Sequence, residues 1–491
     1  MQKNKISFST AVFLVMGSMI GSGVFLVSAD VAQILGNPLL LLLVWVVTGA
    51  LTVIAAMSYT ELAAMYPKSG GQYVYLKEAY SPLMAFLYGW SLFTVVQCGT
   101  IAAVAMAFAK FTAVLLPELT TELFALKFGS PFLNLMIDMH VRLMHLLAIS
   151  TIVLLTFINT RGIKGGGLLQ SYLTVLKALT LLFLIVICIA LFRNSAAVES
   201  NFSDFFNFDK KSFERGWTVY PPLSAVPNAE MDWVSQSWTL TALLSAFGLA
   251  MVGPLFSSDA WNNVTFIAGE VENPKKNVAR ALLFGAAGVC LLYLLINIGY
   301  LCVLPLQEIA TAKDSRVATA AMTQIFGNYG AYIMAALIMV STFGANNGII
   351  LSGARVYQTM ANDGLFFKKM GTFNKSQAPA FSLWVQCIWA SLLCLSGTYS
   401  DLLDYVMFVV ILFYVLTIIG LFILRKTKPN ADRPSKAPGY PFLPAIYVIC
   451  MAGFIINLLI QKPEYTVPGL CIVLSGIPIY FIWRAVHAKT E

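Results

Sequence analysis

Long stretches of this chain have no polar face. Leu39–Leu51, Ala178–Leu191, Ala281–Tyr300 and Tyr405–Leu424 are apolar on every side of a helix. An outer-membrane strand would alternate every second residue, so these stretches read as spanning helices. Crossing a bilayer core takes roughly 20 residues at about 1.5 Å each. On that measure the sequence predicts twelve spans, at 7–28, 38–66, 80–116, 142–160, 168–192, 237–267, 280–304, 329–361, 379–397, 402–425, 440–461 and 466–485. Composition agrees: 58% of the residues are AVILMFWYC, 11% are charged, and the mean hydropathy is +0.77. Soluble proteins carry about 25% charged residues. A soluble globule, a secreted disulfide scaffold and a disordered chain are excluded. Lys3 and Lys5 before the first run mimic a signal peptide, but the run is long, glycine-broken and followed directly by further spans.

Charge sets the expected orientation. With twelve spans and both termini cytoplasmic, the inner segments hold most of the 31 Lys+Arg and few of the 23 Asp+Glu. That is the positive-inside pattern, and Arg425, Lys426, Lys428, Arg433 and Lys436 mark one inner loop. The net charge of +8 is therefore a topology signal. Nucleic acid is not an expected partner, because no soluble domain presents a basic face. The eight cysteines form no CxxC pair, and His140, His145 and His487 do not cluster with other ligands. No metal site, disulfide framework or cofactor is expected. Asn201 lies in an Asn-Phe-Ser sequon, which matters only in a secretory host.

Two spans are irregular. The first carries Gly17-Ser-Met-Ile-Gly21-Ser-Gly23, and the sixth carries Gly248, then Gly253-Pro254-Leu-Phe256-Ser-Ser-Asp259-Ala-Trp261. Taken alone, each could be tight packing through small residues. Spans one and six, however, run in opposite directions. Breaks at matching places of inverted halves point to the binding site of a secondary transporter. The expected organisation is a first repeat at 1–192, an outer loop at 193–236, a second repeat at 237–425 and two appended spans at 426–491.

A break at the midplane frees N–H groups on one side and C=O groups on the other. The N–H end binds anions and the C=O end binds cations. Gly21, Ser22 and Gly23 are small enough for a carboxylate to reach the backbone. Ser258 and Asp259 are N-capping types where span six would restart. An α-amino acid carries both charges on one carbon and suits paired breaks, as other zwitterions also would. Lys177 lies about nine residues into span five, roughly 14 Å deep. A charge there is a functional candidate by default. Its structural alternative is an internal salt bridge, for example to Asp259. Lys110, near the outer end of span three, is expected to snorkel.

The motifs resemble a known family. Gly17–Phe25, Pro67-Lys-Ser-Gly-Gly-Gln-Tyr73-Val-Tyr75, Phe256–Asn263 followed by Gly269-Glu270-Val-Glu-Asn273-Pro274, Phe343–Gly348 and Arg355–Gly364 run in order at family spacing. They are similar to the L-amino acid transporter branch of the amino acid–polyamine–organocation superfamily, over about residues 10–365. The resemblance implies an all-α polytopic membrane protein with the leucine-transporter-type fold, a 5+5 inverted repeat with helices one and six broken. It implies sodium-independent transport of L-α-amino acids, usually as exchange. The apolar surroundings favour a neutral side chain. Catalysis would need His, Asp or Glu gathered at an interface, so an enzyme is not expected.

Carried over residue by residue, the resemblance has Gly21, Ser22 and Gly23 bind the carboxylate through N–H groups. Phe256, Ser257 and Ser258 offer carbonyls to the ammonium, with Phe256 capping the site. Lys177 takes the place of sodium and ties the first break to span eight near Ser341 and Thr342. Asp259, Trp261 and Asn347 support the crevice. A fixed ammonium supplies in cis the charge a sodium ion would bring. Proton-coupled uptake of amino acids or amines is the alternative. Ala260 replaces the family's glycine and Ser28 its proline. Segment 117–141 lacks the cysteine by which animal members hold a glycoprotein heavy chain, so no such partner is expected.

Overall fold

The computed structural model describes residues 5–130, 135–203, 205, 240–395 and 399–487. Several helices begin where a capping side chain precedes proline. Asn37 and Ser81 accept the N–H groups of Leu40 and Met84, and Pro38 and Pro82 are the first helical residues. The pairing works because the first N–H groups of a helix have no helical acceptor and proline has no N–H to lose.

Span one is α1 (Phe8–Met19), α2 (Gly23–Leu26) and α3 (Ser28–Leu35). Then come α4 (Pro38–Met65), α5 (Gln72–Ala79), α6 (Pro82–Ser91) and α7 (Gln97–Leu115), with a π-helical turn at Leu92–Val96 between the last two. A hairpin, β1 (Glu122–Ser130) and β2 (Leu135–Arg142), leads to α8 (Leu143–Asn159), α9 (Ile163–Val186) and α10 (Ser195–Phe202). Span six is α11 (Leu240–Ala250), α12 (Val252–Ser257) and α13 (Asn263–Phe266). The rest is α14 (Pro274–Val303), α15 (Leu306–Ala310), α16 (Val317–Phe326), α17 (Asn328–Asn362), α18 (Ala380–Leu393), α19 (Tyr399–Thr427), α20 (Phe442–Gln461) and α21 (Pro463–His487).

Nine helical stretches among the described residues are long and apolar enough to cross a membrane, at expected spans two, three, five to eight and ten to twelve. The chain is an integral, multi-pass helical membrane protein. Expected spans one, four and nine fall on the shorter apolar helices α1, α8 and α18.

Two segments differ from the sequence reading, span one and 117–141. Span one runs on past residue 28 to Leu35 and stops at Gly36, whose φ of 57° ends the helix. Ser28, polar enough to suggest a span end, is fully buried and donates to Asn297 at 2.5 Å. Segment 117–141 holds an antiparallel hairpin, so the chain is not helical throughout. In 193–236, residues 195–202 form α10 and most of the remainder lies outside the described residues. Asn201 is buried there. Its amide donates to Leu301 O and Leu304 O at 2.8 and 2.9 Å and accepts from Leu306 N at 3.0 Å. The sequon asparagine is a clamp on the end of α14 and is not presented to a glycosylating enzyme.

Helix α14 packs along α4 and α1, and α17 packs along α7, α9 and α1. Span one is thus held between two long helices. Near the loop expected inside, Glu61 at the end of α4 is fully buried. It accepts from Arg425 at 3.0 and 2.6 Å, from Arg433 at 3.1 Å and from Ala437 N at 2.8 Å. Arg425 also stacks on Tyr440, and Arg433 donates to Leu424 O and Lys428 O at the end of α19. Two cations of the basic loop are therefore structural ties between α4 and α19. Opening a buried pair by removing one partner costs about 3–5 kcal/mol, because a charge is stranded. Glu61→Ala is expected to lower the thermal unfolding midpoint in detergent markedly. An unchanged midpoint would contradict the tie.

Candidate functional site

The first break follows from where glycine and serine interrupt an apolar helix. Ile20 leaves α1 with φ −72° and ψ 90°, while its N–H still reaches Met16 O at 2.9 Å. The last carbonyls of a helix lack backbone donors. Three other helices supply them here. Lys177 Nζ, on α9, donates to Gly17 O at 2.6 Å and Ile20 O at 2.9 Å. Ser341 Oγ, on α17, donates to Ile20 O at 3.3 Å and Gly21 O at 3.1 Å. The Tyr293 hydroxyl, on α14, donates to Met19 O at 2.9 Å. Beyond the break the Gly21 and Gly23 N–H groups have no acceptor among the described residues. This end of the break is a donor surface.

Lys177 is 1% exposed, and Gly344 lets it in: a Cβ on Gly344 would lie 2.7 Å from the lysine Cε. No carboxylate is within ion-pair distance of Lys177 among the described residues. The salt bridge to Asp259 weighed as its structural alternative is not formed. Asp259 Oδ1 instead accepts from the Tyr414 hydroxyl on α19.

The second break lies between α12 and α13. Ser258 N and Asp259 N close the last turn onto Pro254 O and Phe256 O at 3.0 and 3.1 Å. The carbonyls of Ser257 and Ser258 accept no hydrogen bond among the described residues. Ala260 turns the chain with φ 63°. A Cβ is disfavoured in that left-handed region by about 1–2 kcal/mol, so the position suits glycine, as the family pattern has it. Trp261 is buried edge-to-face against Tyr59, with ring centroids 4.8 Å apart, and also touches Tyr414. The two breaks meet: a side chain on Gly23 would run into Ser257 Oγ.

The expected residues divide accordingly. Gly21, Ser22, Gly23, Lys177 and Ser341 converge on the first break, with Ser257 against it. Phe256 and Ser258 are buried at the second. Thr342 does not reach the first break, since its hydroxyl donates to Ile338 O and Met339 O in its own helix. Asn347 knits helices further along α17. It donates to Gly166 O and Gln170 Oε1 and accepts from Asn159 Nδ2, at 3.0–3.2 Å.

A cavity adjoins the second break. Gln72, Gln97, Thr100, Asp259, Asn263 and Tyr414 supply its polar wall, with Leu92, Val96, Phe266, Ile349, Val410 and Phe413 among the rest. The π-helical turn Leu92–Val96 contributes to it, and such turns often mark functional positions. Asn263 Nδ2 is buried without a hydrogen-bond partner among the described residues. Of the residues expected from sequence only Asp259 lines this cavity. Gln97 was missed, although an amide inside an apolar span was signal enough. Tyr414 and Tyr293 gave no such signal, because tyrosine is ordinary in a span.

Paired helix interruptions in a multi-pass membrane protein define the class of a carrier. The sequence model of the family described as Amino acid permease matches residues 6–482, and the chain belongs to that family. It is 28% identical to the large neutral amino acids transporter small subunit 2 of Mus musculus, over 98% of this chain and 81% of that protein. It is 28% identical to the serine/threonine exchanger SteT of Bacillus subtilis (strain 168), over 98% and 96%. It is 27% identical to the Asc-type amino acid transporter 1 of Mus musculus, over 100% and 84%. The family and these relatives are transporters.

Lys177→Ala removes the donor of two charge-assisted bonds, each worth about 1.5–3 kcal/mol. Transport is expected to collapse while the protein still inserts and purifies. Lys177→Arg should also fail or slow, because a planar guanidinium does not fit where a compact ammonium sits. Wild-type uptake by Lys177→Ala would reduce the residue to a tolerated structural lysine.

Proposed function

We propose that this protein carries L-α-amino acids with neutral side chains across the membrane by alternating access, without sodium, as an exchanger. The proposal includes twelve spans in a leucine-transporter-type fold, with inverted repeats at 1–192 and 237–425, an outer loop at 193–236 and appended spans at 426–491. The cell (inner) membrane with both termini cytoplasmic is the matching location. Among the described residues nine long apolar helices and the shorter α1, α8 and α18 at the remaining expected spans support that arrangement, as do the basic segments expected inside.

The observation that carries the reading is the Lys177 ammonium seated on Gly17 O and Ile20 O. A helix C-terminus is a cation site by its dipole and its orphan carbonyls. Here a covalently held cation fills it, so no sodium gradient is needed to complete the site. In this reading the N–H groups of Gly21, Ser22 and Gly23 take the substrate carboxylate. The carbonyls at Phe256, Ser257 and Ser258 take the ammonium. Ser341 shares the carbonyls of the break with Lys177, and Thr342 stands beside it. Asp259 and Trp261 shape the second break, and Asn347 steadies span eight. Asp259 is also the group that would admit a cationic side chain. The curated relatives named for amino acids, one of them an exchanger, support the substrate class and the exchange mode. The missing cysteine in 117–141 supports function without a disulfide-linked heavy chain.

Proton-coupled uptake is the second reading, favoured by one feature: Lys177 is buried and, among the described residues, has no carboxylate beside it. Counterflow in proteoliposomes at fixed pH separates the two. Exchange predicts uptake only into vesicles preloaded with amino acid. Accumulation by empty vesicles under a pH step would overturn exchange in favour of proton coupling.

A further inference from the structure

Span seven, α14, carries Tyr293, Asn297 and Tyr300, spaced i, i+4 and i+7, which puts them on one helix face. All three are 0–1% exposed. That face meets span one on both sides of its break. The Tyr293 hydroxyl donates to Met19 O at 2.9 Å, the Tyr300 hydroxyl donates to Val24 O at 3.4 Å, and Ser28 Oγ donates to Asn297 Oδ1 at 2.5 Å. Met19 is the last residue of α1, Val24 lies in α2, and Ser28 opens α3. One contact falls before the break and two fall after it.

Ile20 N bonds back to Met16 O, and Phe25 N bonds to Ser22 O. Among the described residues no backbone hydrogen bond links the stretch up to Ile20 with the stretch from Ser22. Lys177 and Ser341 hold only carbonyls up to Gly21. The stripe on α14 reaches both halves, and an unbroken helix is a rigid ruler of about 10.5 Å over seven residues. The ruler is itself fixed. Asn297 Nδ2 donates to Tyr293 O at 2.8 Å, and the Tyr293 ring meets Trp45 of α4 edge-on with centroids 5.6 Å apart.

We propose that span seven splints the broken span one: Tyr293, Asn297 and Tyr300 set the separation and pitch of its two halves and so aim the N–H groups of Gly21 to Gly23. They are positioning residues, acting through Met19, Ser28 and Val24. The inference rests on the reading of the first break as the carboxylate site.

The test uses the full-length protein in detergent and the variants Tyr293→Phe, Tyr300→Phe and Ser28→Ala. Calorimetry gives the dissociation constants of one neutral L-amino acid that the wild type binds and of its carboxamide, which lacks the carboxylate. Wild type is expected to prefer the acid. Each variant should lower the unliganded melting temperature no more than Glu61→Ala does, yet lose about tenfold in the acid-to-amide ratio, the scale of one misplaced hydrogen bond, while Glu61→Ala keeps that ratio. A ratio unchanged in all variants overturns the splint while the carboxylate reading stands. A ratio that falls equally in Glu61→Ala also overturns it, since that marks general destabilisation. Wild type binding acid and amide alike overturns the carboxylate reading and the splint with it. If both tyrosine variants misfold, Ser28→Ala, which removes a single hydroxyl, decides.

Discussion

A polypeptide backbone interrupted inside a membrane has to find hydrogen-bond partners that water would otherwise supply. Leaving such groups unpaired in hydrocarbon costs several kcal/mol each, and irregular backbone survives there only when other protein groups satisfy it. The end of α1 meets that requirement with side chains drawn from three helices: Lys177 from α9, Ser341 from α17 and Tyr293 from α14. The acceptor side of the break is thereby consumed. On the other side the Gly21 and Gly23 N–H groups have no acceptor among the described residues, which supports the proposed anion site.

Much of the surrounding packing follows from this one demand. Gly344 has no side chain because the lysine stem occupies that space, and Gly23 has none because Ser257 lies against it. Span one sits between α14 and α17, the helices that carry two of the three donors. At the opposite end of the chain's polar economy, buried Glu61 gathers Arg425, Arg433 and the Ala437 N–H, which pins the segment after α19 to α4. Arg355 and Glu270 form a second tie at 2.8 Å, close to the point where Ile6 pairs with Val271. Charge in this protein is spent at helix ends and at breaks.

Helix class, the multi-pass character and the two breaks were legible because glycine, proline and uninterrupted apolarity act locally. Lys177 was legible because a charge deep in an apolar span has few explanations. What the sequence hid depends on rotation and on distant partners. Ser341 and Thr342 are adjacent hydroxyls about 100° apart around a helix, and only Ser341 turns towards the break. Asn347 shares a motif with the site, yet its amide faces α8 and α9. Ser28 looked like the end of a span, because its partner, Asn297, lies 269 residues away. The hairpin of β1 and β2 pairs only with itself, so no core-facing alternation announced it.

The central claim is that the lysine ammonium completes the binding site in place of sodium. The most direct measurement is a thermal-shift titration of the purified protein with the twenty amino acids, run in matched sodium and choline buffers. A ligand at 100 times its dissociation constant stabilises the native state by about 2.7 kcal/mol, which is readily observed. The account predicts that a neutral L-amino acid raises the midpoint equally in both buffers. A shift that requires sodium would contradict it.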